Sequence, residues 1–537
     1  MKGNLGSARH YTAIILTVLG MLLISGSAYS QGGACPSKAN YLNAANALVT
    51  LSSLGVTSCY YISVSQGIDT NNGTSESTPW AHAPGMPGCT GNCASASRAA
   101  GTGYIFRGGD TWGPSNLGVQ LNWSGTSSAP IYVGVDQTWF SGSSWSRPIF
   151  NCQQTQCTTS IGGSYVTLDN VEITGFKMTS TSGNPAVIQT SGNYVGVENV
   201  YIHNFTTTNN STHSNAIANQ CCGNGSVGVY IRNNVIDGSD STQTFMGGIL
   251  HGSTVANNVI RYVYNGMNGV FDTVYGNMIE HNYTSLDGDH CNMMFIQGPD
   301  NNSNLFVYNN LIQHTTCSGG VTLWLGGLSC SAYNGYAFNN VIHDTQNGNV
   351  INPPGEVGGC STLRTWDIFN NTVECGPDSG PSANCSADGG EGGEPDNAVL
   401  HFINDHWITS ASPIDYSVVQ YTTTTDLAQT LAAANAQGYN DTAETFAFSP
   451  ASSGSSTVGA GTNEQSLCTT ISGINSAAGV ACQNSTGYAC AYNTTNHTVS
   501  CPAVQLVARP TTGAWDIGAY QSATSLVPPT NVQAVGH

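Results

Sequence analysis

A four-residue phrase, Asn-Asn-hydrophobic-Ile, returns along the middle of the chain, and that return restricts the architecture more than any other feature. It occurs as Asn233-Asn234-Val235-Ile236, Asn257-Asn258-Val259-Ile260, Asn309-Asn310-Leu311-Ile312 and Asn339-Asn340-Val341-Ile342. Looser copies are Gly276-Asn277-Met278-Ile279 and Asn370-Asn371-Thr372-Val373. From one second Asn to the next the chain runs 24, 19, 33, 30 and 31 residues. An uneven period of this size, with a short β-forming run on each side of the Asn pair, belongs to an all-β solenoid of parallel strands whose loops vary from turn to turn. Each repeat is a rung, and stacked rungs lie roughly 4.8 Å apart, so equivalent side chains form columns. A buried Asn at a turn can then donate its amide to the carbonyl of the Asn above, which satisfies polar groups the fold must bury. The Asn pairs therefore read as structure, because a ladder needs them on every rung and a site does not.

The composition fits such a coil. Only 8% of the 537 residues are charged, Gly numbers 64, and the formal net charge is −19. Ordinary globular domains carry about 25% charged residues. Acidity and the three lysines, Lys2, Lys38 and Lys177, exclude a nucleic-acid partner, which requires a basic stripe, and disfavour anionic membrane surfaces. No phosphate loop, Gly-x-Ser-x-Gly elbow or dinucleotide fingerprint in a strand-to-helix setting is present. Lys2 and Arg9 precede the apolar run 13–24, and Ala28-Tyr29-Ser30 offers small residues for cleavage, so residues 1–30 read as a secretory signal peptide and not as a membrane span. All 18 cysteines follow it, an even count suited to an oxidising compartment, outside the cell or at its surface. Cys89 and Cys93, Cys152 and Cys157, Cys375 and Cys385, Cys468 and Cys482, and Cys490 and Cys501 are close enough for local loop disulfides, which the spacing favours over zinc.

Tyr41 to Leu54 is expected as a short helix capping the first rung. Cys59-Tyr60-Tyr61-Ile62-Ser63-Val64-Ser65, the loop Gly67-Ile68-Asp69-Thr70-Asn71-Asn72-Gly73-Thr74 and Gly103-Tyr104-Ile105-Phe106-Arg107-Gly108-Gly109-Asp110-Thr111-Trp112 open the coil. With Arg509-Pro510 and Gly513-Ala514-Trp515-Asp516-Ile517-Gly518-Ala519-Tyr520 near the end, this arrangement resembles exported right-handed parallel β-helix proteins of the pectate-lyase-like superfamily. The resemblance covers roughly residues 59–521 and implies the fold; the superfold hosts many activities. The expected division is a signal peptide over 1–30, an N-terminal cap and first turns over 31–103, and rungs over 104–409. An irregular capping region over 410–521, with a helix at Asp426 to Gln437, and a linker-like tail over 522–537 complete it.

Two columns follow from aligning the repeats. The position after each Ile gives His203, Asp237, Arg261, Glu280, Gln313, His343 and Glu374, and the next gives Asn204, Gly238, Tyr262, His281, His314, Asp344 and Cys375. A second alignment sets Gln189, Asn219, His251, Asp272, Gln297 and Asn352 in line. His251, Asp272 and Gln297 on three successive rungs would span about 10 Å, the scale of one or two sugar units. Glu280, His281 and His314 join His251 and Gln297 as expected substrate contacts.

The densest local cluster is Asp287-Gly288-Asp289-His290. Two carboxylates and an imidazole suit general acid/base work, and the Asp287 and Asp289 oxygens equally suit Ca2+; the same residues also suit a plain turn. The cluster resembles the acidic/His turns of sugar-active β-helices. Asp69-Thr70-Asn71-Asn72-Gly73 has oxygen ligands in alternation, yet an Asx-rich turn accounts for it equally. Among uronate lyases of the resembling superfamily the base is a Lys or Arg, which points to Arg261; hydrolases of this fold use clustered Asp, which points to Asp272, Asp287 and Asp289. The Asn-x-Asp, Asp-Asp and Arg-x-Lys motifs of polygalacturonase-like hydrolases are absent from this sequence. Two functions stay open: an exported protein that binds or cleaves an extracellular polysaccharide or surface glycan, including a uronic-acid polymer, or a noncatalytic adhesive solenoid. Catalysis requires Arg261, Asp272, Asp287, Asp289 and His290 to converge. The sequence does not fix an oligomeric state.

Overall fold

The computed structural model describes residues 32–38, 41–43, 47–179, 185–207, 214–219, 226–241, 246–282, 291–300, 303–315, 322–325, 332–345, 351–352, 364–374, 398–409, 420–441, 447–451, 454–488, 491–500 and 506–522. The right-handed parallel β-helix expected from the sequence is what the chain forms, with three long parallel sheets around one apolar interior. Sheet A holds the strands that enter the Asn turn, from Ser58–Ile62 to Gln420–Thr424. Sheet B holds the strands that leave it, from Thr111–Trp112 to Leu427–Gln429. Sheet C is the third face, from Gln120–Leu121 to Ile351–Asn352. One rung thus reads Met294–Gly298 in C, Asn304–Tyr308 in A and Leu311–Gln313 in B. The long strands Met246–Ala256 and Met267–Tyr275 run through the corner from C into A without a break.

The two Asn residues of each phrase do different work. The first turns the corner in the left-handed region, with φ of 57° at Asn233, 56° at Asn257, 54° at Asn309, 56° at Asn339 and 54° at Asn370. Asn tolerates this region, and Gly does so without cost, which is why Gly276, with φ of 65°, can replace it. The second Asn points inward and builds the expected ladder. Nδ2 of Asn234 donates to Oδ1 of Asn258 at 3.0 Å, Asn258 to Asn277 at 2.9 Å, Asn277 to Asn310 at 3.0 Å, Asn310 to Asn340 at 3.0 Å and Asn340 to Asn371 at 2.9 Å. Asn371 donates to Oδ1 of Asp405 at 2.9 Å, so a carboxyl takes over the ladder where the repeat ends. Beside it run the inward columns of the core, such as Ile236, Ile260, Ile279, Ile312, Ile342 and Val373, in the register inferred from the repeats.

The expected N-terminal helix is replaced by smaller pieces. Tyr41–Leu42 pairs antiparallel with Leu48–Val49, and the side chain of Asn43 accepts from the Ala47 N–H at 3.0 Å to close the turn. Among the described residues of this segment only Leu51–Leu54 is helical, a single 3-10 turn opened by Thr50 and ended by Gly55 at φ 88°. Near the other end, the helix expected over Asp426 to Gln437 gives its first part to a strand, Leu427–Gln429, that adds to sheet B. The helix itself is Leu431–Ala436, because Thr430 caps it by accepting from the Ala433 N–H.

Two further helices, Gln465–Ile474 and Ser476–Cys482, were not foreseen. Their Cys468, Ile471, Ala478, Ala481 and Cys482, with Trp515, cover the outer face of sheet A, where Phe306, Tyr308, Tyr336, Phe338 and Phe369 lie. Rings on that face stack rung on rung, Tyr275 to Tyr308 at 5.1 Å, Tyr308 to Phe338 at 5.0 Å and Phe338 to Phe369 at 4.9 Å. Tyr439, Phe448, Tyr488, Ala519 and Tyr520 cover the outer face of sheet B over Leu311, Val341 and Ile408. Corner Asn residues hold this layer: Asn339 donates to the Ala481 and Asn484 carbonyls at 2.9 and 3.0 Å, and Asn370 to those of Asp516 and Gly518 at 3.0 and 3.2 Å. Arg509 of the C-terminal signature is buried and donates to Asn339 Oδ1 at 2.9 Å. The signature is a clasp on the corner of the coil.

Disulfides join Cys89 to Cys93, Cys152 to Cys157 and Cys468 to Cys482, as the spacing suggested. Cys35 to Cys59 is an additional bridge that ties the N-terminal segment to the first strand of sheet A. The pairs Cys375 with Cys385 and Cys490 with Cys501, like the expected signal peptide, lie outside the described residues. Among the described residues no helix is long and apolar enough to cross a membrane.

Candidate functional site

Because a coil of this kind has three outer faces, the question is which one is available. The apolar clusters made by the described C-terminal segments lie on sheets A and B, and the N-terminal Tyr41 and Leu51 cover the start of A over Tyr61, Ile105 and Tyr132. Sheet C is the face to which none of these clusters extends.

The first predicted column has the expected register, His203 beside Asp237, Arg261, Glu280, Gln313 and His343, and it lies on sheet B under the C-terminal layer. Arg261 sits between Glu280 at 3.2 Å and Asp237 at 3.9 Å, with its guanidinium 5.5 Å from the ring centre of Tyr492. Burial lowers its proton affinity, but the two carboxylates outweigh that and hold the guanidinium above its usual range, firmly charged. Glu280 is buried and also accepts from Gln313 Nε2 at 2.8 Å, and His343 Nε2 meets Gln313 Oε1 at 2.9 Å. Burial pulls His343 down to about 3, so it is neutral. The hairpin Ala491–Asn493 with Thr498–Ser500 closes over this region: Tyr492 donates to Asp237 Oδ2 at 3.2 Å, and His497 stacks on Tyr201 with ring centres 4.2 Å apart.

At the exit corner of sheet B, Tyr262, His281 and His314 share the left-handed backbone, with φ of 54°, 52° and 51°. Their rings stack nearly parallel at 4.8 and 5.1 Å, so their faces are turned to one another, and His314 Nδ1 is paired with Asp344. That hydrogen bond holds the Asp344 carboxyl below its usual range.

Sheet C departs from the expected second column. Gln189 lies opposite Ala218 and not Asn219, Ala218 opposite Leu250, Leu250 opposite Asn268, Asn268 opposite Phe295, and Phe295 opposite Trp324, which is followed by Asn352. Gln189 and Asn219 are one position out in a regular pairing, and for His251, Asp272 and Gln297 the reason is a run of bulges. The register shifts after Leu250 and again after Gly269, where His251, Gly269 and Gly298 have φ of 58°, 122° and 143°. Bulges of this kind re-aim side chains at the edge of a face. Missed by the sequence alignment are Asn268, Phe295, Ser253 and Asp300; Gly269 and Gly298 inside the apolar runs were the signal that the alignment had to shift.

The shifted residues gather where sheet C turns into sheet A. His251 Nδ1 accepts from the Val270 N–H at 2.9 Å, which leaves the ring proton on Nε2, and burial brings the imidazole down to about 4. Gln297 Nε2 donates to Asn268 Oδ1 at 2.9 Å, and both residues are partly exposed. Asp272 Oδ1 accepts from the Asp300 N–H at 3.1 Å, and Ser253 Oγ donates to Asp300 Oδ2 at 3.0 Å while accepting from the Gly228 N–H at 2.9 Å. Two carboxylates, two amides and a neutral imidazole thus share one edge. His251, Asp272 and Gln297 are brought together here; Arg261, Glu280, His281 and His314 belong to another face and its corner.

Asp287, Asp289 and His290 lie outside the described residues, and with them the Ca2+ expected of that turn. Among the described residues no three His, Cys, Asp or Glu side chains form a metal-ligand group. Asp69 is occupied by its own loop: Oδ1 accepts from the Ala81 and His82 N–H groups at 3.0 and 3.1 Å, and Oδ2 pairs with His82 Nδ1 at 2.8 Å. This is the Asx-turn use of that residue.

No protein-family model matches the chain, and neither does any curated protein. Among solved structures, the pectate lyase Pel9A is similar at 16% identity over 86% of this chain and 96% of its own, with a TM-score of 0.43. A GH136 lacto-N-biosidase from Eubacterium ramulus is similar at 12% identity over 70% of this chain and 68% of its own, with a TM-score of 0.39. A rhamnogalacturonan lyase shows 13% identity over 76% of this chain and 97% of its own, also with a TM-score of 0.39. At these identities and scores the likenesses carry no argument about what this chain acts on.

Proposed function

We propose that the protein works outside the cell and engages an extracellular polysaccharide along the outer face of sheet C. One observation carries the reading: the edge where sheet C bulges puts Gln297 and Asn268, joined at 2.9 Å, beside Phe295, His251 and the carboxylates of Asp272 and Asp300. Amides and carboxylates in a row accept and donate to sugar hydroxyls, and Gln297, Asn268 and Asp300 are the partly exposed members of the row, with Phe295, His251 and Asp272 buried beside them. Sheets A and B offer no such row among the described residues, because their outer faces are packed against the chain itself. Export fits the bridges at Cys35–Cys59, Cys89–Cys93, Cys152–Cys157 and Cys468–Cys482.

Cleavage, on this reading, is hydrolytic and uses Asp272 and Asp300. Elimination with Arg261 as base is disfavoured, since two carboxylates keep that guanidinium charged under Tyr492. A reading without catalysis has one observation in its favour: Arg261 and Asp272 are on different faces, so the expected catalytic set does not converge. The test is a panel of polysaccharides assayed in parallel for binding, for new reducing ends and for absorbance of unsaturated products. Binding with new reducing ends supports hydrolysis, binding alone supports the noncatalytic reading, and unsaturated products would refute the assignment of chemistry. Absence of binding to every glycan would refute the proposal.

A further inference from the structure

The chain has 11 Lys and Arg residues, of which Lys2 and Arg9 fall in the expected leader. The remaining cations all lie at described positions, so each can be placed. Arg232 is buried and paired with Glu198 at 2.7 Å, Arg261 with Glu280 at 3.2 Å, and Arg107 lies 3.8 Å from Asp110. Arg147, Arg364 and Arg509 are buried. Arg98 is exposed and lies over the Trp123 ring at 4.8 Å, Lys38 precedes the first rung, and Lys177 pairs with Thr206 beside sheet B. From Lys177 to Arg364 the sequence has no Lys or Arg besides Arg232 and Arg261. That interval contains sheet C from Ala186–Thr190 to Ile351–Asn352 and every connection between those strands. It also contains Asp272, Asp287, Asp289 and Asp300.

We infer that the glycan taken by sheet C is a neutral polysaccharide and not a polyuronate, an inference that rests on the glycan reading above. A polyuronate brings a carboxylate on every sugar. On the rungs of this face from Ala186–Thr190 onward it would meet no Lys or Arg of those rungs to pair with, and it would approach a chain of net charge −19. A neutral chain brings hydroxyls, which the Gln297 and Asn268 amides and the Asp272 and Asp300 carboxylates can pair with as donors and acceptors. The residue chemistry therefore selects by charge, whatever the cleavage step.

Affinity electrophoresis of the full chain tests this, with β-glucan, xylan and mannan against alginate and polygalacturonate, each in EDTA and in calcium at low ionic strength. Retardation by at least one neutral glycan with none by the polyuronates is the expected result. The double variant Asn268→Ala, Gln297→Ala should weaken the neutral binding about tenfold, the scale of 1.4 kcal/mol. Retardation by a polyuronate, with or without calcium, would overturn the inference while leaving the glycan reading in place. Unchanged affinity in the double variant would remove the groove from sheet C and overturn it as well. Retardation by none of the five would overturn the glycan reading itself.

Discussion

Replacing Asn310 by Ala is the most informative single change in the coil. Asn310 is fully buried, and its Oδ1 accepts from the Asn277 backbone N–H at 3.1 Å and from Asn277 Nδ2 at 3.0 Å. Its Nδ2 donates to the Val274 carbonyl at 3.1 Å and to Asn340 Oδ1 at 3.0 Å. Ala removes all of these. Asn277 Nδ2 keeps the Val255 and Tyr275 carbonyls, and Asn340 Oδ1 keeps the Asn310 N–H, so the group left without an acceptor is the Asn277 N–H. Leaving one buried donor unpaired costs about 1–3 kcal/mol, and each of the three other lost bonds about 0.5–1.5 kcal/mol, which together come to about 2.5–7.5 kcal/mol. The neighbouring Asn309→Gly is the control. Asn309 has φ of 54°, Gly accepts that conformation, and Gly276 already holds the equivalent corner, so its cost should stay within about 1 kcal/mol. Equilibrium urea unfolding followed by far-UV circular dichroism reads both variants. A loss below about 1 kcal/mol for Asn310→Ala, or an equal loss for Asn309→Gly, would show that the ladder is not what the second Asn is for.

Three other outcomes are expected. Asp405 ends the ladder fully buried, and burial followed by the nearby Asp426 raises its carboxyl well above the usual range, while burial raises Asp426 to about 6. Both folded values exceed the unfolded ones, so this pair stabilises below the unfolded carboxylate range and the stability is lost as pH rises through about 6; Asp405→Asn should raise the melting temperature at neutral pH and flatten its pH dependence between pH ~4 and ~7, and an unchanged profile would refute the assignment. At Gly269 a Cβ would lie 2.2 Å from His251 Nδ1 on a backbone at φ 122°, so Gly269→Ala should displace the imidazole, cost about 2 kcal/mol or more, and abolish glycan retardation; normal melting with full binding would contradict it. Reduction should lower thermal stability without abolishing the β signal, with the 24-residue loop of Cys35–Cys59 worth about 3 kcal/mol; a Cys35→Ser, Cys59→Ser variant that melts like the parent would refute that estimate.

The coil was legible because its demands repeat. A position with φ near 55° and a position that must carry both a donor and an acceptor recur along the coil, and Asn or Gly suits the first best while Asn suits the second. The column His203, Asp237, Arg261, Glu280 could be read for the same reason, since three-residue strands in sheet B leave no room for slippage. What lay over that column could not be read. The cover comes from residues such as Tyr492, which is 255 positions from Asp237 and obeys no period. Sheet C failed differently: the repeat alignment set Gln189 and Asn219 one position out, and one extra residue at a bulge moves every later side chain by a position, so His251, Asp272 and Gln297 fell out of line. The acidic turn at Asp287 and Asp289 had no repeat to anchor it at all.

The clasp has a consequence for how the chain can be made. Rungs need only their neighbours, so they can accumulate from the N-terminus in the order in which the residues are synthesised. The outer rings of sheet A, Phe306, Tyr308, Tyr336, Phe338 and Phe369, are finished early in that sequence, yet their cover is residues 465–482 and Trp515. Until those arrive, a nearly complete coil displays a sticky aromatic strip along its length. A chain stopped after Gln429 would hold every rung and still be prone to self-association, so the last fifth of the polypeptide acts as an intramolecular chaperone for the rest.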